Sequence, residues 1–329
     1  MLNPRKVAVV GCGFVGASIA FSLMQKSLFS EMVLIDANQA KAEGEAMDLS
    51  HGLPYASEMD IYAGTYPDLA DSALTIITAG ANQKPGETRL DLIERNVKIL
   101  QSIIPQITAT SFEGILMIVS NPVDILTYEA QRISGYPIHR VIGSGTVLDT
   151  ARLKYLLSRL LKVDSRNVHA MIIGEHGDSE LAVWSGANIS GIDLDHFCQL
   201  RGQAYSQEAM RGHYNHMEAM ERIYTDVRDS AYEIISRKGA TYYGIAMAVG
   251  RIAECIVKDE KAVLPVSTVF RGAYGLCGLA LSVPSVVGKD GVEAVLEIPL
   301  SEDELAALHA SAQQLKGVIQ TLEEKGLCY

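Results

Sequence analysis

The first half of the chain alternates short apolar runs with stretches in which apolar residues return every three or four positions. Val7–Val10, Met32–Ile35, Leu74–Thr78 and Ile115–Val119 are apolar runs of four or five residues, the last two β-branched and bounded by Gly, Ser and Asn. Such runs predict strands, and the helical spacing between them predicts helices over Val15–Gln25 and over Leu92–Ile104, the second ending at Pro105. Val141-Ile142-Gly143 reads as the last strand of this unit, and Asp149–Leu161 as the helix leaving it. The alternation is that of an α/β protein with a doubly wound parallel sheet covered by helices.

The second half has a different pattern. Val168–Ile173 reads as a strand, followed by the glycine-flanked loop Gly174–Asp178. Helical spacing returns over Leu194–Tyr214 and Met217–Ser236, then past a Lys238-Gly239 break into Tyr243–Val257. Val263–Val269 and Gly278–Val287 resemble paired antiparallel strands. A capping box, Ser301-x-x-Glu304, opens a final helix with Leu305, Leu308, Ala312, Leu315 and Ile319 on one face. This is an α+β pattern. No repeat, low-complexity tract or Pro/Ser linker separates the halves, so a tight junction near residue 145 is expected, with domains at 1–145 and 146–329.

Composition narrows the function classes. The 329 residues suffice for two lobes, and 20% charged with 48% apolar residues is ordinary for a globular protein. A net charge of −11 argues against nucleic-acid binding, which needs clustered Lys and Arg. No apolar run approaches the length of a spanning helix. The amino terminus runs straight into a strand without a secretory h-region, and the five cysteines are scattered without a C-x-x-C pair. Both features point to reduced thiols in the cytoplasm. Cys12 reads as a small buried filler. His213-x-x-His216 lacks a third ligand nearby and reads as surface, so no metal is expected.

Gly11, Gly13 and Gly16 form a G-x-G-x-x-G turn that follows a strand and opens a helix. The first glycine permits the turn, the second lets a pyrophosphate approach the backbone, and the third lets helix and strand pack closely. The helix N-terminus adds unpaired N–H groups and partial positive charge for the phosphates. Asp36 ends the second strand twenty residues beyond Gly16, placed to bond the ribose hydroxyls and repel a 2′-phosphate. A Rossmann domain binding NAD, not NADP, is therefore expected.

Asp149 and Arg152 lie three apart on one face of a predicted helix, and His176 stands in Gly174-Glu175-His176-Gly177-Asp178. A carboxylate beside a histidine favours the imidazolium and fixes its orientation. Such a histidine gives a proton to a ketone or takes one from an alcohol. Arg152 is suited to hold a substrate carboxylate by two parallel hydrogen bonds. Lys84-Pro85-Gly86-Glu87 suits a type II turn in a polar loop at the carboxyl edge of the sheet, where closure would carry Arg89 to the substrate carbonyl. Together with the dinucleotide turn, these groups suggest hydride transfer coupled to proton transfer.

At these residues the chain resembles the lactate/malate dehydrogenase family over essentially its whole length, most closely its bacterial L-lactate branch. The motifs are Gly11-Cys12-Gly13-Phe14-Val15-Gly16, the loop ending at Arg89, Ser120-Asn121-Pro122, Leu148–Arg152 and Gly174–Asp178. The resemblance implies His176 as proton donor and acceptor, Asp149 as its partner, Arg152 as carboxylate clamp and Arg89 as the arginine polarising the carbonyl. It implies Asn121 near nicotinamide and substrate, Thr241 on the pocket wall, and a cofactor surface of Gly11, Gly13, Val15, Gly16, Asp36, Thr78, Gly80, Ala81, Val119 and Asn121. At position 83 the malate enzymes carry arginine; Gln83 leaves a second substrate carboxylate without a cation, which favours pyruvate and lactate. Malate or another L-2-hydroxy acid is the alternative. The family is cytosolic and oligomeric, and a homotetramer is expected. Its fructose 1,6-bisphosphate-activated members use an arginine and a histidine; His169 matches the histidine, while Lys154 stands in the arginine's place.

Overall fold

The computed structural model describes residues 2–81, 88–194, 196–198 and 216–327, with only the backbone of Arg89, His216 and Met217. Gln83, the predicted turn at 84–87, most of the predicted helix over 194–214, His213 and Cys328 lie outside them.

One sheet organises the molecule. Its parallel strands are β1 (Asn3–Val10), β2 (Glu31–Ile35), β3 (Asp60–Ala63), β4 (Ser72–Ile77), β5 (Ile115–Ile118) and β6 (Val141–Gly143), in spatial order 3-2-1-4-5-6. That order reverses between β1 and β4, and the crevice at their carboxyl ends is where doubly wound sheets bind ligands. The helices covering this half are α1 (Phe14–Lys26), α2 (Gln39–His51), α3 (Arg89–Thr108) and α4 (Val123–Ser134).

The second half contributes α5 (Val147–Leu161), then short strands β7 (Val168–His169), β8 (Ile172–Ile173), β9 (Leu181–Ala182), β10 (Asn188–Ile189) and β11 (Ile192–Asp193). Helices α6 (His216–Lys238) and α7 (Tyr243–Lys258) follow, then strands β12 (Ala262–Arg271), β13 (Cys277–Gly288) and β14 (Gly291–Val295), and helix α8 (Glu302–Glu324). β12 pairs antiparallel with β6 at Ser267–Gly143, so β12, β13 and β14 extend the parallel sheet to nine strands. β7, β10 and β11 form a small separate sheet, and β8 pairs with β9.

Both faces of the main sheet are buried, which explains why its strands are apolar at successive positions. Val7, Val9, Met32 and Leu34 pack with α1, α2 and α7, while Ala8, Val10, Val33 and Ile35 pack with α3, α4 and α8. A third core joins α5 to α6 through Leu153, Leu157, Leu161, Ile223 and Val227. No helix among the described residues is long and apolar enough to cross a membrane.

Two elements differ from the sequence expectation. Helix α3 continues through Pro105 to Thr108 instead of ending before it. Proline removes one helical N–H, but Ile104 and Ile107 on either side are fully buried, and that packing keeps the last turn helical. Val168–Ile173 is two strands in two sheets, β7 and β8, not one. The paired strands β12 and β13, the Lys238-Gly239 break and the Ser301–Glu304 capping box stand as expected.

Candidate active site

The glycine turn lies at the crevice between β1 and β4. Gly11 has φ +102°, and a Cβ there would stand 2.6 Å from the Ala79 nitrogen; a Cβ on Gly16 would stand 1.8 Å from the Gly11 carbonyl oxygen. Neither position admits a side chain. A Cβ on Gly13 meets nothing within 4 Å, so its backbone faces open space, as close approach of a pyrophosphate requires. The Asp36 carboxylate accepts from the Cys12 N–H at 2.7 Å and the Asn38 N–H at 2.9 Å, fixing it beside the turn with lone pairs left for ribose hydroxyls. Cys12 is buried with its thiol pushed up to about 12 by burial and then by Asp36, which makes it an inert filler.

The other predicted cofactor residues gather around this turn. The Thr78 hydroxyl donates to the Gly11 carbonyl at 2.7 Å, and Ser120 donates to the Ala79 carbonyl at 2.7 Å. Asn96, which the sequence did not single out, joins two strand ends: it accepts from the Ala81 N–H at 2.7 Å and donates to the Asn121 carbonyl at 2.7 Å. Gly80, Ala81, Val119 and Asn121 thus share one edge with the glycine turn. The Asn121–Pro122 peptide is cis. Thr241 is half-buried, and the next residue, Tyr242, stacks on Phe14 of the glycine turn with centroids 5.5 Å apart. The pocket-wall candidate therefore stands beside the cofactor crevice. Arg89 is the first residue of α3, capped by Thr88 and Asp91.

His176 is held by its main chain from three sides. Gly174 exchanges backbone hydrogen bonds with Ser282 on β13, the Glu175 N–H donates to the Ser311 hydroxyl on α8 at 2.9 Å, and the His176 N–H donates to Asp124 on α4 at 2.7 Å. Asp124 also accepts from Ser267 at 2.6 Å and is 1% exposed. Its carboxyl is pushed up to about 6 by burial, against the opposing pull of Ser267 and the His176 N–H. It remains an anion at neutral pH.

Helix α5 brings Asp149 to the ring. Thr146 donates to the Ile172 carbonyl at 2.6 Å and the Ile172 N–H donates to Thr150 at 2.9 Å, so α5 is stapled to the strand that leads into the histidine loop. Asp149, 2% exposed in the first turn of α5, lies with Oδ2 2.5 Å from His176 Nδ1 and accepts from Arg152 Nη1 through Oδ1 at 2.6 Å. Burial alone would depress the imidazole, but the charge and hydrogen bond of Asp149 outweigh it and push His176 up to about 9. Burial likewise opposes ionisation of Asp149, yet His176 and Arg152 hold its carboxyl below the usual range. The result is an imidazolium with Nε2 directed away from its partner, an arrangement able to donate one proton.

Sequence reasoning missed Asp124, Ser267 and Glu180. Glu180 is 4% exposed, and its carboxylate lies within 4.8 Å of the Asp149 and His176 polar atoms. No local motif signals these residues: Asp124 is 52 positions from His176, and only the fold joins them. Of the predicted effector residues, Lys154 is half-buried on α5 and His169 exposed on β7; no hydrogen bond or ion pair among the described residues joins the two.

Comparison with known proteins agrees with this geometry. The lactate/malate dehydrogenase NAD binding domain model matches residues 5–143, and the lactate/malate dehydrogenase alpha/beta C-terminal domain model matches residues 146–325. The L-lactate dehydrogenase of Acetivibrio thermocellus is 51% identical over 319 residues, covering 97% of this chain and 98% of that protein. That of Priestia megaterium is 51% identical over 312 residues, covering 95% of each. Among solved structures, the ligand-bound minor L-lactate dehydrogenase of Enterococcus mundtii superposes with a TM-score of 0.89 at 43% identity, covering 97% of this chain and 98% of that one. A glycine turn with its acidic partner, a histidine–aspartate pair and both domain models over nearly the whole length lead to one assignment: the chain belongs to the lactate/malate dehydrogenase family, with NAD as its cofactor.

Proposed function

We propose that this chain is an NAD-dependent L-lactate dehydrogenase, reducing pyruvate to (S)-lactate and catalysing the reverse reaction. The observation that carries the reading is the buried Asp149 carboxylate bridging His176 and Arg152. When bound, NADH supplies a hydride to the carbonyl carbon. His176 Nε2 gives its proton to the carbonyl oxygen as the C–O double bond becomes a single bond, and regains one from solvent afterwards. Arg152 holds the substrate carboxylate with the guanidinium N–H groups not committed to Asp149. Arg89 polarises the carbonyl, Asn121 and Thr241 bound the pocket, and Gln83 leaves that pocket without a second cation. Residues 1–145 hold the cofactor and 146–329 carry His176, Asp149 and Arg152. Relatives at about half identity over nearly the full chain, named L-lactate dehydrogenases, support the choice of substrate.

With NADH in one buffer, kcat/KM for pyruvate should exceed that for oxaloacetate by about 10²-fold or more. The reason is that desolvating an unpaired carboxylate costs several kcal/mol. A preference for oxaloacetate would reassign the chain to malate.

The same reading places the protein in the cytoplasm, in glycolysis and fermentation, as a homotetramer. The exposed apolar side chains Phe21 on α1 and Met247 on the packed neighbour α7 support a subunit contact on that face. A fructose 1,6-bisphosphate effector would meet Lys154 and His169. Lysine binds phosphate as a point charge without the planar fork of arginine, and burial lowers the Lys154 ammonium, so phosphate should be held less firmly than at an arginine site. Titrating this effector at subsaturating pyruvate, at neutral and at mildly acidic pH, should raise the rate. An unchanged rate at both would remove the regulatory part of the proposal.

A further inference from the structure

Glu180 is a buried carboxylate that the proposed chemistry does not use. It follows the histidine loop, its N–H bonded to the Gly177 carbonyl, and its own carbonyl accepts from the Tyr224 hydroxyl of α6. One carboxylate oxygen, Oε1, is buried with no hydrogen-bond partner among the described residues. The side chain reaches within 4.8 Å of both Asp149 and His176. A buried polar atom without a partner costs stability, so its retention beside a proton-transferring pair calls for an explanation.

Asp149, His176 and Glu180 also have the donor set of a small cation site. That alternative is disfavoured because Asp149 is already bonded by both His176 and Arg152, and a metal would sit against the Arg152 guanidinium.

We infer that Glu180 is a positioning residue that tunes the proton affinity of His176, acting as a second proton-holding group coupled to the histidine–aspartate pair. The inference rests on the dehydrogenase reading above. Among the described residues, Glu180 is faced, besides His176, by Asp149 and Arg152 from α5 and by Tyr224 and Arg228 from α6. His176 additionally faces Asp124 from α4. Burial first, then the Asp149 charge, push the Glu180 carboxyl up to about 8, against the pull of His176, Arg152 and Arg228. At neutral pH Glu180 is therefore a neutral acid beside an imidazolium. Glu180 ionises over the same alkaline range in which His176 loses its proton. The new anion then stabilises the imidazolium and delays its deprotonation. The two groups titrate as a pair, and the donor form of His176 survives to higher pH than Asp149 alone would allow.

The test compares wild type with Glu180→Gln, measuring kcat/KM for pyruvate with NADH and for lactate with NAD+ from pH 5.5 to about pH 10. The amide keeps the size of the side chain and holds no ionisable proton. The alkaline limb for pyruvate should move to lower pH by about one pH unit. The ratio of kcat/KM at pH 9 to that at pH 7 should then fall about fivefold. The acid limb for lactate oxidation should move the same way, because that direction needs the neutral imidazole. Glu180→Asp should restore part of both shifts.

A purely structural role lowers all values together and leaves the pH 9 to pH 7 ratio intact; that result, or unmoved limbs, overturns the inference. Opposite movement of the two limbs overturns it as well. Absence of turnover in the wild type would instead overturn the dehydrogenase reading, so the two failures are distinguishable.

Discussion

Replacing His176 by Asn lowers kcat/KM for pyruvate by about 10²–10⁴-fold or more, with NADH affinity unchanged. The loss is chemical because the architecture around the residue does not depend on its ring. The backbone contacts of Gly174, Glu175 and His176 to Ser282, Ser311 and Asp124 are main-chain donors or acceptors and persist in the variant. Asn also preserves a donor toward Asp149, so the buried carboxylate is not stripped of its neighbour, and its ion pair with Arg152 stays. What disappears is a group able to carry a proton at Nε2. The glycine turn and Asp36, which hold the cofactor, lie on β1, α1 and the end of β2 and make none of these contacts. Fluorescence titration of NADH beside steady-state rates separates the effects. Loss of NADH binding along with activity would mean that the cleft had collapsed, and retained activity would mean that the proton comes from another group.

The sequence carries the parts of this site that are local. A glycine turn is a backbone requirement written into consecutive residues, and Asp149–Arg152 is a helical spacing, so both can be read without coordinates. Asp36 is legible because strand, turn and helix of one unit fix its distance from Gly16. The remaining residues are joined only by topology. Asp124 meets the His176 backbone, and Ser267 meets Asp124, because α4 packs against β12 beneath the histidine loop. Asn96 belongs to α3 but joins residues at the ends of β4 and β5. Glu180 is an ordinary acidic residue in its sequence context and becomes unusual only when the fold buries it. Pro105 gives the converse lesson: a strong local stop signal loses to the burial of Ile104 and Ile107. Local chemistry set the candidates, and packing decided which neighbours they acquire.

Replacing Asp149 by Asn reaches an effect of similar size by another route, and pH separates the two. In the wild type the Asp149 charge and hydrogen bond overcome the burial that would otherwise depress His176, and hold it up at about 9. Without that charge and hydrogen bond the opposing burial weighs more heavily, and the His176 pKa should fall from about 9 toward its ordinary value. Pyruvate reduction, which needs the imidazolium, then falls about 10²–10⁴-fold at neutral pH: partial loss of the proton accounts for a few-fold, and the less firmly set orientation and tautomer of the ring for the rest. The loss should shrink as pH drops toward 5.5, where the ring regains its proton. Lactate oxidation needs the neutral ring and should retain the larger share of its rate at pH 7.

Stability follows the same sign. The His176 pKa is higher folded than unfolded, so its contribution, on the order of 3 kcal/mol, is complete below pH 6.5 and is lost as pH rises through 9. Asp149→Asn removes that contribution and the Arg152 ion pair, so the melting temperature should drop at pH 7 and the drop should narrow above pH 9. A pyruvate profile whose alkaline limb stays near 9 in the variant would show that another anion holds the proton on His176. Asp124 and Glu180, the remaining carboxylates that raise the histidine, would then be the groups to change next.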